Sequence, residues 1–257
     1  MSLLIAFLTD FGQADPFVGV MKGVILSRYF QARMVDVTHH VPPQDVRTGA
    51  FYLMSAAPYF PEDTLFICIV DPGVGSERRI LWARTASHQF LAPDNGLLSW
   101  LDHRQRLQEV REVTNRRLFL DRVSTTFHGR DVFAPVAAEL ARGLPPADLG
   151  ARIHQIKRLP FPEPRRYAGR ILGAVLSVDR FGNAITNIPV STVPARAVFY
   201  FKDKNLGPLK LHYTAVPSGR PLAVAGSSGF AELSVRNGSF VETYGLTPGD
   251  PVEAKFR

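Results

Sequence analysis

Apolar and polar positions follow two different rhythms along this chain, and the change falls past its middle. In the first part, short apolar runs take turns with segments of helical spacing. Leu3 to Leu8 is an apolar run ending at the polar pair Thr9–Asp10. The apolar start from Met1 to Leu8 lacks a basic leader and a small-residue cleavage site, so it reads as a buried strand and not as a signal peptide. Phe17 to Tyr29 spaces its apolar residues as a helix, Arg33 to Val37 reads as a strand, and Arg47 to Tyr59 as a helix. Thr64 to Val70 is a continuous apolar run with β-branched residues, which predicts a central strand covered on both faces. Ile80 to Ala83 and Gln89 to Ala92 are further strands, Asp94–Asn95–Gly96 is a turn, and Val132 to Arg142 is a helix closed by Gly143. Strands alternating with helices predict an α/β domain over residues 1–158, its parallel or mixed sheet carrying helices on both faces.

The later rhythm is shorter. Leu159–Pro160–Phe161–Pro162–Glu163–Pro164 has the composition of an extended connector, and residues 159–167 are assigned as a proline-rich linker. Beyond it, Arg170 to Val178, Arg196 to Phe201, Leu209 to Tyr213, Leu222 to Ala225, Ala231 to Val235 and Pro251 to Phe256 are separated by turn formers and show little helical periodicity. Residues 168–257 therefore predict a small all-β barrel or sandwich.

Composition narrows the class. The 257 residues are 46% hydrophobic and 21% charged, which excludes a disordered chain. Cys68 is the only cysteine, so neither an intramolecular disulfide nor a cysteine zinc site is available. No apolar run is long enough to span a bilayer, and a cytoplasmic location is the default expectation. The net charge is +7. Lysine stands at six positions, leaving 24 arginines. These include the doublets Arg78–Arg79, Arg116–Arg117 and Arg165–Arg166, but there is no long basic run and no nucleic-acid motif, so a solvated surface is the simpler account. No nucleic-acid or membrane partner is expected.

Ligands of open α/β sheets bind beyond the carboxyl ends of the strands. That rule points at Thr9–Asp10–Phe11–Gly12, at Asp71–Pro72–Gly73–Val74–Gly75, and at Ser124 to Asp131, which precedes a helix. Each has an ordinary structural reading. Asp10 suits a helix N-cap, Asp71–Pro72–Gly73 suits a turn, and His128 suits a structural histidine. No phosphate-binding glycine loop, helical zinc pair or nucleophile elbow occurs.

The strings TDFG, DVTHHVPPQDV, VDPGVGSERR, APDNGLL, STTFHGRDVFAP and DRFGNAITNI, in this order, resemble the S-adenosyl-L-methionine hydroxide adenosyltransferases, relatives of fluorinase and chlorinase. The resemblance implies an α/β domain followed by a β-barrel domain. It also implies a homotrimer whose active sites lie between domains of neighbouring subunits. It places an Asp–Arg–His set for handling water on Asp71, Arg78 and His128, and a ribose-binding aspartate on Asp10. It places Asp179 at the methionine amino group, Phe181 on the adenine face and Asn183 at the adenine edge. Ser227 and Glu232 fall near the methionine end, and Asn237 beside the adenine. No metal or redox cofactor is implied.

Departures within the resemblance set the subclass. Halide-using relatives carry tyrosine at the position of Asp71, and the fluorinase carries serine at that of Gly129 and an extra loop that this chain lacks. A carboxylate repels halide and accepts a hydrogen bond from water. Hydrolysis of S-adenosyl-L-methionine to adenosine and L-methionine is therefore the expected reaction. Halide transfer on the same scaffold and a non-catalytic nucleoside-binding protein are the alternatives. Phe181 has a structural reading as a core residue, and Asn183–Ala184 as a turn.

Overall fold

The apolar runs of the first part become a six-stranded sheet in the computed structural model, which describes residues 3–256 apart from the side chains of 103–105. Met1 and Ser2, at the start of the predicted first strand, lie outside the described residues. The strands are β1 (Leu4–Thr9), β2 (Arg33–Thr38), β3 (Leu65–Ile69), β4 (Ile80–Arg84), β5 (Gln89–Pro93) and β6 (Glu109–Glu112). Their order is β2-β1-β3-β5-β4-β6, with β1 parallel to β2 and β3, β3 parallel to β5, and β4 antiparallel to β5 and β6. Every residue of β3 is buried, as its unbroken apolar run requires.

Helices cover both faces. Helix α1 (Phe17–Arg28) and α4 (Ala134–Ala141) pack together, and their Met21, Ile25, Val136 and Ala137 join Ile5, Phe7, Ile67 and Ile69 in one core. Helix α2 (Val46–Ala56) packs with α3 (Ser99–Gln105). The residues between, such as Phe66 and Phe90, point to the opposite face by the two-residue period of strands, and their rings stack at 5.3 Å. Asp45 caps α2 by accepting from the Thr48 N–H at 3.0 Å. The predicted helix from Val132 begins earlier, in a π-helical turn over Gly129–Phe133 that runs into α4.

The first compact unit ends at Phe161 and the second begins at Pro162, inside the segment expected as linker. That segment is also not wholly extended connector. Its last residues form β7 (Arg165–Tyr167), which pairs with β8 (Arg170–Val178), because a strand edge beside it offers unpaired backbone groups. The second unit continues with β9 (Ala184–Pro189), β10 (Val198–Phe201), β11 (Lys204–Pro208), β12 (Pro221–Ala225), β13 (Phe230–Val235), the short helix α5 (Phe240–Tyr244) and β14 (Pro251–Lys255). The antiparallel order is β11-β10-β14-β8-β9-β13-β12. Lys210 donates to the Ala223 carbonyl and accepts from the Ala225 N–H, both at 2.8 Å, which brings the two ends of the sheet together as a nearly closed barrel. The predicted strand Leu209 to Tyr213 is not one. Lys210 alone bridges β12, Leu211 is 86% exposed, and Tyr213 opens a short 3-10 turn. The strand lies just before it, at β11.

Candidate active site

The sheet order locates the crevice. From β1 the chain crosses through α1 to β2 on one side, and from β2 through α2 to β3 on the other, so the switch point lies between the carboxyl ends of β1 and β3. Asp10 follows β1 and Asp71 follows β3 by two residues. Because β4 runs antiparallel to β5, its first residue lies at this same end, with Arg78 and Arg79 just before it.

Three of the expected residues meet here. Arg78 Nε donates to Asp71 Oδ1 at 3.0 Å and Oδ2 at 2.7 Å, and its Nη2 lies 2.6 Å from Oδ2. The two side chains are only 5% and 4% exposed. The same Nη2 lies 2.9 Å from His128 Nδ1. A guanidinium only donates, so Nδ1 accepts and a neutral His128 carries its proton on Nε2. Burial, then the Arg78 charge, pushes the His128 pKa down, against opposing effects of Asp71, Asp131 and a Ser124 backbone hydrogen bond. The folded value thus lies below the unfolded value of about 6.5. As pH falls through that window the unfolded chain takes up a proton that the folded one refuses, so stability declines toward acid. In an NMR titration the His128 ring is expected to protonate only below about 6.5; protonation above neutrality would overturn this tautomer.

Asp71 and His128 also face a cavity of about 150 Å³ whose other walls are mainly Phe11, Phe17, Ile69 and Phe127. The three phenylalanine rings meet edge to face at 5.1–6.2 Å. Two glycines shape the place. A Cβ on Gly75, whose φ is +79°, would lie 2.2 Å from the Thr125 carbonyl oxygen, so only glycine lets the 71–78 loop reach the loop before His128. A Cβ on Gly129 would meet Met21 Sδ at 3.0 Å and the Phe127 ring at 3.1 Å.

Asp10 is not a helix N-cap; α1 starts after Pro16, and Asp10 Oδ2 accepts from the Gln44 N–H at 2.8 Å. Its neighbour Thr9 bonds the buried His39 at 2.9 Å through Oγ1 and Nδ1. The other His39 nitrogen lies 3.1 Å from Asp36 Oδ1, at ion-pair distance without hydrogen-bond alignment.

The remaining expected residues belong to the second unit. Asp179 Oδ1 accepts from the Phe181 and Asn183 N–H groups at 2.9 Å, and Oδ2 from Asn183 Nδ2 at 2.9 Å, which ties the DRFGN string into a tight turn. Asn183 is buried, whereas Phe181 is 75% exposed and is no core residue. Glu232 is 6% exposed and accepts from the Tyr213 hydroxyl at 2.9 Å. Burial, together with the nearby Asp179 charge, pushes its pKa up against the Tyr213 bond. Ser227 is exposed, and Asn237 holds a left-handed φ of +55° with Nδ2 3.2 Å from Ser218 Oγ.

Residues 5–150 match the model of the SAM hydroxide adenosyltransferase N-terminal domain, and residues 173–253 that of the C-terminal domain. The chain belongs to the SAM hydroxide adenosyltransferase family. Among its relatives, the (R)-S-adenosyl-L-methionine hydrolase of Thermus thermophilus is 40% identical over 96% of this chain and 97% of its own. A fluorinase of Actinoplanes is more distant, at 28% identity over 96% of this chain and 95% of its own. An uncharacterised conserved protein from Thermotoga maritima has a crystal structure that superposes with a TM-score of 0.92. It is 36% identical and covered over 98% of this chain and 99% of that one.

In this SAM hydroxide adenosyltransferase several residues packed against the expected ones leave no mark in the sequence. The Phe11, Phe17 and Phe127 walls carry no polar mark and read as ordinary core. Asn95, which donates to the Val70 carbonyl at 2.8 Å and so braces the end of β3, stands inside a turn string. Tyr213, the partner of Glu232, falls in the segment expected as a strand.

Proposed function

We propose that this chain hydrolyses S-adenosyl-L-methionine to adenosine and L-methionine, by in-line attack of water on the ribose 5′ carbon. The observation that carries this reading is the Asp71 carboxylate, held by Arg78 on the wall of an otherwise largely apolar cavity. The leaving group is a sulfonium, which departs as a neutral thioether. Attack by an oxygen bearing negative character cancels charge, so a low-dielectric pocket favours it. Asp71 accepts a hydrogen bond from the water and orients it, a contribution of several kcal/mol when the geometry is held. Arg78 holds Asp71 in place through its paired hydrogen bonds. His128 offers its Nδ1 to Arg78 and thereby fixes the guanidinium. As the carbon–oxygen bond forms and the carbon–sulfur bond breaks, the electron pair goes to sulfur. The attacking water becomes acidic, and its proton passes to Asp71 and on to solvent. The substrate brings its own leaving group, so the proposal includes no cofactor and no metal.

Turnover in water enriched in heavy oxygen is expected to place the label on the adenosine 5′ hydroxyl. Unlabelled adenosine excludes water as the nucleophile, and 5′-chloro-5′-deoxyadenosine formed in high chloride supports halide transfer instead. Asp10 at the ribose, on the same chain as Asp71, and Asp179, Phe181, Asn183, Ser227, Glu232 and Asn237 of a neighbouring subunit around the amino acid and base complete the proposed site, following the family resemblance.

The proposal extends to a homotrimer. Its support is exposed apolar side chains on the first unit, Phe17 and Val20 of α1 at 41% and 38% and Val35 of edge strand β2. Light scattering at the mass of a monomer overturns it. Among the described residues no helix is long and apolar enough to cross a membrane. A cytoplasmic location, without nucleic-acid or membrane partners, is proposed on composition and is checked by cell fractionation.

A further inference from the structure

The fold brings two of the three arginine doublets to one place. Arg78, Arg79, Arg116 and Arg117 line a cavity of about 650 Å³, next to the apolar cavity and sharing His128 with it. That volume suits a small organic ligand. Ser124 and Thr125 add hydroxyls to its wall.

The arginines divide into two kinds. Arg78 and Arg79 are committed. Arg78 holds Asp71, and Arg79 Nε donates to Asp94 Oδ2 at 2.9 Å while its Nη2 donates to the Gln155 carbonyl at 2.8 Å. The Arg78 contacts use Nε and Nη2 and leave Nη1 uncommitted. Arg116 and Arg117 are exposed, stand in a 3-10 turn capped by Asn115, and make no ion pair among the described residues. Glu112 and Asp121 also line the cavity, and Arg78 and Arg79 are neutralised by Asp71 and Asp94, so the donors open to a ligand are chiefly those of Arg116 and Arg117. These two adjacent guanidinium forks carry planar donors that match phosphate oxygens.

We propose that this cavity binds a small phosphate-bearing molecule, with Arg116 and Arg117 as its principal anchors. The recess argues for a small ligand, because an extended nucleic acid would need a basic track and not a pocket. Through Arg78 and His128 the occupant touches the far side of the group that holds Asp71. Occupancy therefore changes hydrolysis as well, and that second half rests on the proposed function, whereas the binding does not.

The test is calorimetric titration of the whole protein with inorganic phosphate, pyrophosphate and adenosine monophosphate, alongside a single-stranded oligonucleotide. Wild type is expected to bind at least one of the phosphate probes, and the double variant Arg116→Ala with Arg117→Ala to bind it at least tenfold more weakly. That variant is expected to keep its hydrolysis rate when no phosphate is present, and wild type to change its rate by twofold or more when the probe saturates. Because both side chains are exposed, the variant's melting temperature is expected to match wild type, and Arg116→Lys with Arg117→Lys to retain part of the binding. No heat with any probe, equal binding by the alanine variant, or preferential binding of the oligonucleotide overturns the site. Binding without any change in rate overturns only the coupling to Asp71. A protein that binds the probe yet hydrolyses nothing refutes the proposed reaction and leaves the site standing.

Discussion

Asp71→Asn is expected to lower the rate of S-adenosyl-L-methionine hydrolysis by about a thousandfold, within the range for loss of a charged group that orients a reacting atom. The substitution is nearly isosteric, so the cavity keeps its shape. What changes is charge. An amide presents one acceptor oxygen where Arg78 now meets two, and its nitrogen turns a donor toward donors. The water loses its ionic acceptor, and the proton released on attack loses its destination. Substrate affinity should stay within about tenfold, or 1.4 kcal/mol, because the variant removes nothing from the proposed ribose, base or amino-acid contacts. Single-turnover rates beside calorimetric affinities separate the two quantities. A variant as fast as wild type would remove Asp71 from the mechanism.

Arg78→Ala is expected to act on stability as well as rate. It leaves a carboxylate that is 4% exposed with no cation beside it, a change that costs about 3–5 kcal/mol for buried pairs. At about 2–4 °C per kcal/mol for a chain of this size, the unfolding temperature should fall by roughly 10 °C. The cause is testable through the partner. The double variant Asp71→Asn with Arg78→Ala removes the stranded charge, so it should be more stable than Arg78→Ala alone. If the double variant is the less stable of the two, Arg78 stabilises by packing and not by pairing.

Much of the first unit was legible because its central strands are buried on both faces. Thr64 to Val70 admits no polar residue apart from its first, and β3 falls inside it. Edge strands lack that mark. β6, with the sequence Glu–Val–Arg–Glu, is half-buried throughout and meets only an isolated bridge, Arg111 to Arg152, on its outer side, so its pattern is indistinguishable from a loop. β9 is hidden for a different reason. Its Thr186 and Asn187 are buried yet polar, and each is satisfied by a specific backbone group, Thr186 Oγ1 by the Ala231 carbonyl and Asn187 Oδ1 by the Ala174 N–H. Such bonds depend on the finished barrel. The reverse error occurs at Leu209 to Tyr213, whose apolar and β-favouring residues lie outside any ladder.

The site shows the same division. Asp71 and Arg78 stand seven residues apart, and the loop between them is short enough for the pairing to be plausible from sequence. His128 lies fifty residues further on. Nothing in periodicity brings it back to Arg78; the string resemblance named it, and the sheet order explains it. The π-helical turn that follows His128 and the glycine approach at Gly75 are properties of packed loops and leave no trace in a pattern of apolar spacing.

The crowding around Gly129 bears on how such a scaffold changes its chemistry over evolutionary time. An added side chain there must first displace Met21 Sδ or the Phe127 ring, and a neutral residue at position 71 strands the guanidinium at 78. Each step asks its neighbours to adjust, so a lineage moving between water and halide is helped by coordinated replacements around positions 71 and 129.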